Sequence, residues 1–226
     1  MIPWRQIACA KLPGAEGGEL RLLERDGELV IRAGAHVLMG SRASASEEAL
    51  GTLAAARLEG REAPRVLLGG LGMGFTLAAA LRRLGPRAEV VVAELVPAVV
   101  EWNRGVLAPL AGHPLRDARV RVREGDVAER LRGACSAWDA IVLDVDNGPH
   151  GLARPSNDWL YGAKGLEAAH GALRPGGVLA TWSSGPEPGY PKRLRAAGFR
   201  VEELRVPSAR SGRGARRVVW IATRKV

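Results

Sequence analysis

"RVLLGGLGMGFTLAAALRRLGPRAEVVVAEL", residues 65–95, holds an apolar run, a glycine-rich loop, an Ala- and Leu-rich segment and a second apolar run that ends on Glu94. Each apolar run has the length of a buried strand, and the segment between them has the length of a helix. Two strands joined by a helix in one sheet run parallel. Gly70, Gly72 and Gly74 let the backbone turn tightly and approach a ligand, because no Cβ stands in the way. Glu94 closes the second strand, where a carboxylate accepts hydrogen bonds from both hydroxyls of a ribose. Doubly wound sheets bind ligands beyond the carboxyl ends of their strands, and both devices fall there.

The alternation continues downstream. "PAVVEWNRGVL" opens with Pro97, suited to a first helical turn. "ARVRVREGD" reads as a strand, "VAERLRG" as a short helix and "AWDAIVLDVD" as a fourth strand. "NDWLYGAKGLEAAHGALRPGG" carries a helix expected to stop at Pro175-Gly176-Gly177, and "VLATWSS" is a fifth strand. "FRVEELRV" and "RRVVWIATR" then follow with a link too short for a crossover helix, so they are expected to pair antiparallel at the end of the sheet. "SARSGRGARR" (208–217), the densest basic segment, reads as a mobile loop between strands. The expected fold class is α/β, a doubly wound, mostly parallel sheet ending in an antiparallel strand. Upstream, "GGELRLLERDGELVIRAG" has two alternating runs around Asp26-Gly27, a hairpin signal. "SASEEALGTLAAARLEG" reads as a helix with Ser44 or Ser46 as N-cap and Gly60 just past its end. Residues 1–60 are thus expected to form a small hairpin-plus-helix module, and residues 61–226 the sheet domain.

With 46% hydrophobic and 25% charged residues in 226, the composition is that of an ordinary globular protein. Apolar runs such as Val90 to Ala93 are too short to span a bilayer, and "MIPWRQIACAKLPG" lacks the pattern of a signal peptide. Cys9 and Cys135 stand far apart without ligand spacing, so neither a metal site nor a disulfide is expected, and the cytoplasm is the default compartment. The net charge of +9 comes almost wholly from arginine. A nucleic-acid partner would explain it. Solvated arginines explain it equally, and no basic stretch is interleaved with stacking aromatics, so the second reading is preferred.

The loop itself reads G-x-G-x-G, with Phe75 where a dinucleotide-binding loop has its third glycine, and no Gly-Lys-Ser/Thr follows to make a Walker loop. Asp126 in "VREGDVAERL" ends the third strand, where it or its neighbouring backbone can meet an adenine amino group. Asp144, Asp146 and Asn147 follow the fourth strand. Acids after strands two, three and four, with an antiparallel last strand, resemble the class I S-adenosylmethionine-dependent transferases. Within that superfamily residues 18–205 resemble spermidine synthases and their relatives. The matching stretches are "GGLGMG" (69–74), Glu94, Gly125-Asp126, "DVDNGP" (144–149), "WLY" (159–161) and "LRPGGVLATW" (173–182). The resemblance implies a Rossmann-like domain that binds S-adenosylmethionine, or its decarboxylated form, through Gly70, Gly72, Met73, Gly74, Glu94, Leu95, Gly125, Asp126, Val127 and Asp144. It implies a small-molecule acceptor and no membrane, and makes a homodimer one assembly to expect.

Departures from the family's pattern bear on the reaction. The acid of the family's glycine loop falls on Gly72. The second aspartate of its D-S-S-D falls on Asn147, which hydrogen-bonds but cannot act as a base near neutral pH. Asp146, one position earlier, substitutes if the loop shifts. The family's upstream acid-and-tyrosine segment has no clear equivalent: "SASEEALGTL" keeps Glu47 and Glu48 but no nearby Tyr or His. The nucleoside half of the site reads as intact and the polyamine half as altered. Methyl transfer from S-adenosylmethionine is therefore placed first, aminopropyl transfer second and a nucleic-acid-binding protein on the same fold third. Candidate catalytic residues are Asp144, Asp146, Asn147 and His150, the last in "NGPHGLARPSND", where a gate over the site would lie and where a histidine titrates near neutrality. Each has a plainer alternative: a turn cap for Asp144, an exposed loop position for His150. Trp182 and Tyr161 read either as acceptor-pocket lining or as core.

Overall fold

The computed structural model describes residues 2–13, 18–145, 149, 158–209 and 215–226. Four antiparallel strands begin it: β1 (Arg5–Lys11), β2 (Glu19–Arg25), β3 (Glu28–Ala33) and β4 (His36–Gly40), paired in that order. The expected hairpin is β2–β3, with Arg25 opposite Glu28 across the Asp26-Gly27 turn. The flanking strands β1 and β4 extend the module beyond the sequence reading. They are edge strands with no fully buried residue, and so lack the clean alternation that burial of one face imposes.

Helix α1 (Ala45–Ala56) follows, with Ser44 at its N-cap position. The Ser44 hydroxyl donates to Glu48 Oε1 at 2.8 Å rather than capping a backbone N–H. The helix ends at Ala56, a turn before Gly60.

The second sheet has seven strands: β5 (Arg65–Gly69), β6 (Glu89–Glu94), β7 (Val120–Glu124), β8 (Trp138–Leu143), β9 (Leu173–Ser183), β10 (Phe199–Pro207) and β11 (Arg216–Arg224). Their spatial order is β10-β11-β9-β8-β5-β6-β7. Strands β5 to β9 are parallel, and β11 runs antiparallel to both neighbours. The last strand thus inserts between β9 and β10 instead of adding at the edge. The chain starts this sheet at β5, winds outward through β6 and β7, then returns to β8 on the other side. That reversal opens a crevice beyond the ends of β5 and β8.

The connecting helices are α2 (Phe75–Arg83), α3 (Pro97–Arg104), α4 (Val127–Leu131), α5 (Asp158–Tyr161), α6 (Ala163–Ala172) and α7 (Tyr190–Ala196). The segment read as one helix before "LRPGG" is two, divided at Gly162, and α6 stops at Ala172 instead of Pro175. Proline disfavours helical geometry in the residue before it, and Leu173 is already extended at ψ 145°.

Strand alternation sorts the core into two layers. Val66 and Leu68 of β5 pack with Leu50 of α1, Leu77 of α2 and Val100 of α3, while Leu67 packs with Leu131 of α4, Leu166 of α6 and Leu194 of α7. Leu20, Leu22, Leu29 and Ile31 of the small sheet belong to the first of these clusters, so the small sheet shares its core with α1 and α2. Among the described residues no helix is long and apolar enough to cross a membrane. Cys9 and Cys135 are exposed and unpaired. The basic stretch 208–217 contains residues 210–214, which lie outside the described residues; Arg216 and Arg217 belong to β11.

Candidate active site

At the end of β5 the chain turns through Gly70 (φ 86°), whose N–H donates to the Ala93 carbonyl at 2.9 Å. A Cβ on Gly70 would lie 2.3 Å from the Asp144 carbonyl oxygen, so no larger residue fits between the ends of β5 and β8 here. At Gly72 (φ 54°) a Cβ would stand 2.5 Å from Met39 Cε. Met39 comes from β4, and its sulfur accepts the Met73 N–H at 3.1 Å. The small sheet therefore closes onto the loop at the position where the family's pattern has an acid. Asn103 of α3 fixes the loop from behind, its Nδ2 donating to Gly72 O at 2.8 Å and Val99 O at 2.9 Å.

Four carboxylates converge on the crevice. Glu94 is buried; its Oε2 accepts the Leu71 N–H and its Oε1 the Val96 N–H, both at 2.8 Å. Two backbone donors therefore orient this side chain, and a carboxylate has about four acceptor sites in all. Asp126 caps α4 by accepting the Ala128 N–H at 2.8 Å. Asp144 Oδ2 lies 2.5 Å from the hydroxyl of Thr76 in the first turn of α2, and that hydroxyl is 3.1 Å from the Glu47 carbonyl. The Glu47 side chain accepts the Ser46 hydroxyl at 2.6 Å.

Burial governs the charge state of this last pair. It raises Asp144 to about 6, against the opposing bond from Thr76. Burial, reinforced by the negative charge of Asp144, raises Glu47 to about 7, and the Arg217 charge works the other way. Arg217 donates to Ser184 O at 2.7 Å and lies 5.8 Å from the Trp182 ring centre. Among the described residues the buried Trp182 indole N–H has no partner.

These groups line one cavity. Of the residues expected to hold the nucleoside, Gly70, Gly72, Glu94, Leu95, Gly125, Asp126, Val127 and Asp144 are in the lining. Met73 and Gly74 are not: the Met73 side chain points into the core below the loop, and Gly74 begins α2 against Asn103. Asp146, Asn147 and His150 lie outside the described residues. Trp182 lines the cavity, whereas Tyr161 is core, its ring edge-on to Tyr190 and its hydroxyl donating to Val145 O at 3.3 Å.

The sequence reading missed the roof, where Leu12, Leu20, Ile31, Leu38 and Met39 of the small sheet cover the crevice, and it missed the place of Glu47 in the lining. A signal for Glu47 was present. Helical spacing puts it on the same face as Leu50, Gly51 and Ala54, the face that α1 buries, and a glutamate there needs a reason.

No family model matches the chain. It is 34% identical over 161 residues to a polyamine aminopropyltransferase 2 of Streptomyces coelicolor, a match covering 66% of this chain and 28% of that protein. A polyamine aminopropyltransferase of Mycobacterium tuberculosis is 33% identical over 125 residues, 54% of this chain and 23% of its own length. The chain thus spans less than a third of these relatives. The spermidine synthase structure from Thermotoga maritima superimposes with a TM-score of 0.74 at 17% identity, covering 98% of this chain and 73% of the other. In sequence and in fold, the chain is similar to the spermidine synthase-like branch of the class I S-adenosylmethionine-dependent methyltransferase superfamily.

Proposed function

We propose that the cavity binds decarboxylated S-adenosylmethionine and transfers its aminopropyl group to a small amine. The observation that carries this reading is the charge of the lining: Glu47, Glu94, Asp126 and Asp144 are acidic, and among the described residues no Lys, Arg or His lines the cavity. Ordinary S-adenosylmethionine would bring a further carboxylate into this set, and like charges in a poorly hydrated cleft repel strongly. The decarboxylated nucleoside brings positive charge alone. Methyl transfer, placed first from the sequence because the loop acid falls on Gly72 and the second D-S-S-D aspartate on Asn147, finds no support in the relatives or in the described lining. Glu47 and Asp144 supply negative charge from α1 and from the end of β8 in place of that acid.

In this reading Glu94 receives the ribose hydroxyls and Asp126 lies on the adenine side. Asp144 takes a proton from the incoming ammonium group, leaving a neutral amine. The amine nitrogen then forms a bond to the propyl carbon while the carbon–sulfur bond breaks. The electron pair stays on sulfur, and methylthioadenosine departs as a neutral thioether. The product nitrogen carries the positive charge. Because the leaving group needs no protonation, holding the two reactants in line accounts for much of the rate.

Titration calorimetry with the two nucleosides tests the proposal. Decarboxylated S-adenosylmethionine is expected to bind at least tenfold tighter, about 1.4 kcal/mol. Incubation with a diamine is expected to yield methylthioadenosine. Tighter binding of ordinary S-adenosylmethionine, with S-adenosylhomocysteine as the product, would overturn it.

A further inference from the structure

We propose that Met39 is a specificity-determining residue: its thioether, seated on the glycine loop, walls a slot that admits an unbranched chain on the donor's sulfur and turns away a branched one. This rests on the reading of the donor as a decarboxylated nucleoside, and it adds shape to the selection that charge makes.

The order of the strands says what passes this wall. Asp126 follows β7, Glu94 ends β6, the glycine loop follows β5 and Asp144 follows β8, and these four strands lie side by side in that order. Neighbouring strands are about 4.8 Å apart, close to the steps from a base to its sugar and from the sugar to the atom beyond its 5′ carbon. A donor with its base at Asp126 and its ribose on Glu94 therefore carries its sulfur over the glycine loop. The chain on that sulfur runs on between the loop and Asp144.

Met39 stands at this point. It pairs with the buried Ile31 of β3, and its sulfur accepts the Met73 N–H at 3.1 Å. Its Cε lies 2.5 Å, and its sulfur 2.9 Å, from the place a Cβ on Gly72 would take. Met39 and Gly72 both line the cavity. The thioether thus fills the room of a side chain on the loop, and fills it with an apolar methyl group. Methionine adapts to irregular gaps because its side chain is flexible. Here the sulfur is tied to a backbone amide, and Asn103 holds the same loop from behind through Gly72 O at 2.8 Å. Floor and wall are fixed to each other, so the width between them is set.

The two nucleosides differ in shape at the third carbon from sulfur. In the decarboxylated form that carbon bears only the amine, whereas in S-adenosylmethionine it bears an amine and a carboxylate and is branched. One extra group in a fitted apolar pocket is worth about tenfold or more in discrimination. A carboxylate pressed against a thioether methyl group also loses hydration without gaining a hydrogen bond.

Uncharged thioethers separate shape from charge in the test. 5′-Butylthioadenosine copies the aminopropyl tail with a methyl group for the ammonium, and 5′-(3-methylbutyl)thioadenosine adds the branch. Calorimetry on the full chain is expected to show the butyl compound binding about tenfold tighter than the branched one. Met39→Ala is expected to bring the two within about threefold of each other, Met39→Val to fall between, and Met39→Leu, which keeps the bulk without the sulfur, to hold the wild-type ratio. Equal affinities in the wild type, or the wild-type ratio in both Met39→Ala and Met39→Val, would overturn the inference. Methylthioadenosine has no chain to be read. If it binds while the butyl and branched compounds bind alike, the inference fails and the nucleoside half of the proposed function stands. Binding of none of the three would overturn both.

Discussion

Each carboxylate oxygen of Glu94 accepts a backbone N–H, one from the glycine loop and one from the residue that opens the next turn. An amide at this position would turn an N–H toward one of those donors, disturbing the loop and the sugar contact together. Glu94→Gln is expected to weaken binding of methylthioadenosine at least tenfold, about 1.4 kcal/mol, and to lower the melting temperature. Calorimetry and thermal melts check both, and unchanged affinity would remove Glu94 from the site. Glu94 and Asp126 were legible in the sequence because each ends a strand just before a helix signal. Met39 was not, since nothing in "HVLMG" says that this methionine meets Gly72, a residue distant in the chain.

At the scale of elements, the contact between α1 and α2 decides the site. In an isolated helix, Gly51→Ala would add up to about 1 kcal/mol of stability. Here the new methyl group would strike the Thr76 carbonyl at 2.2 Å, and overpacking of this kind costs about 1–3 kcal/mol. Packing is expected to win. Gly51→Ala should be less stable than the wild type in denaturant melts and should bind the diamine more weakly, because α1, which brings Glu47 into the cavity lining, is pushed away from α2. The helices themselves followed from apolar spacing, and the strand alternation correctly announced the parallel sheet. Insertion of β11 between β9 and β10 did not follow, because a hairpin fixes which strands are neighbours but not which of the two meets the rest of the sheet.

Over the whole molecule, an overall charge of +9 coexists with an acidic cavity. Several exposed arginines pair with glutamates, as Arg5 does with Glu24, Arg57 with Glu202 and Arg83 with Glu59. Such exposed pairs contribute little to stability. The acids that line the cavity matter more. Glu47 and Asp144 are raised from 4.5 and 3.8 to about 7 and about 6, so the folded state holds more protons than the unfolded chain in that window. Their contribution is therefore full below about pH 4 and is lost as the pH rises through 6 and 7. The melting temperature of the wild type is expected to fall more than that of Glu47→Gln between pH 5 and about pH 8, and a diamine should recover most of the loss. Parallel slopes in the two proteins would contradict this. The sequence by itself determined the alternating sheet, the glycine loop and the acids at strand ends, because periodicity and local backbone chemistry act between near neighbours. Only the tertiary structure decided that the small sheet roofs the crevice and that a glutamate from α1 shares it with Asp144, since both depend on which faces of distant segments bury each other.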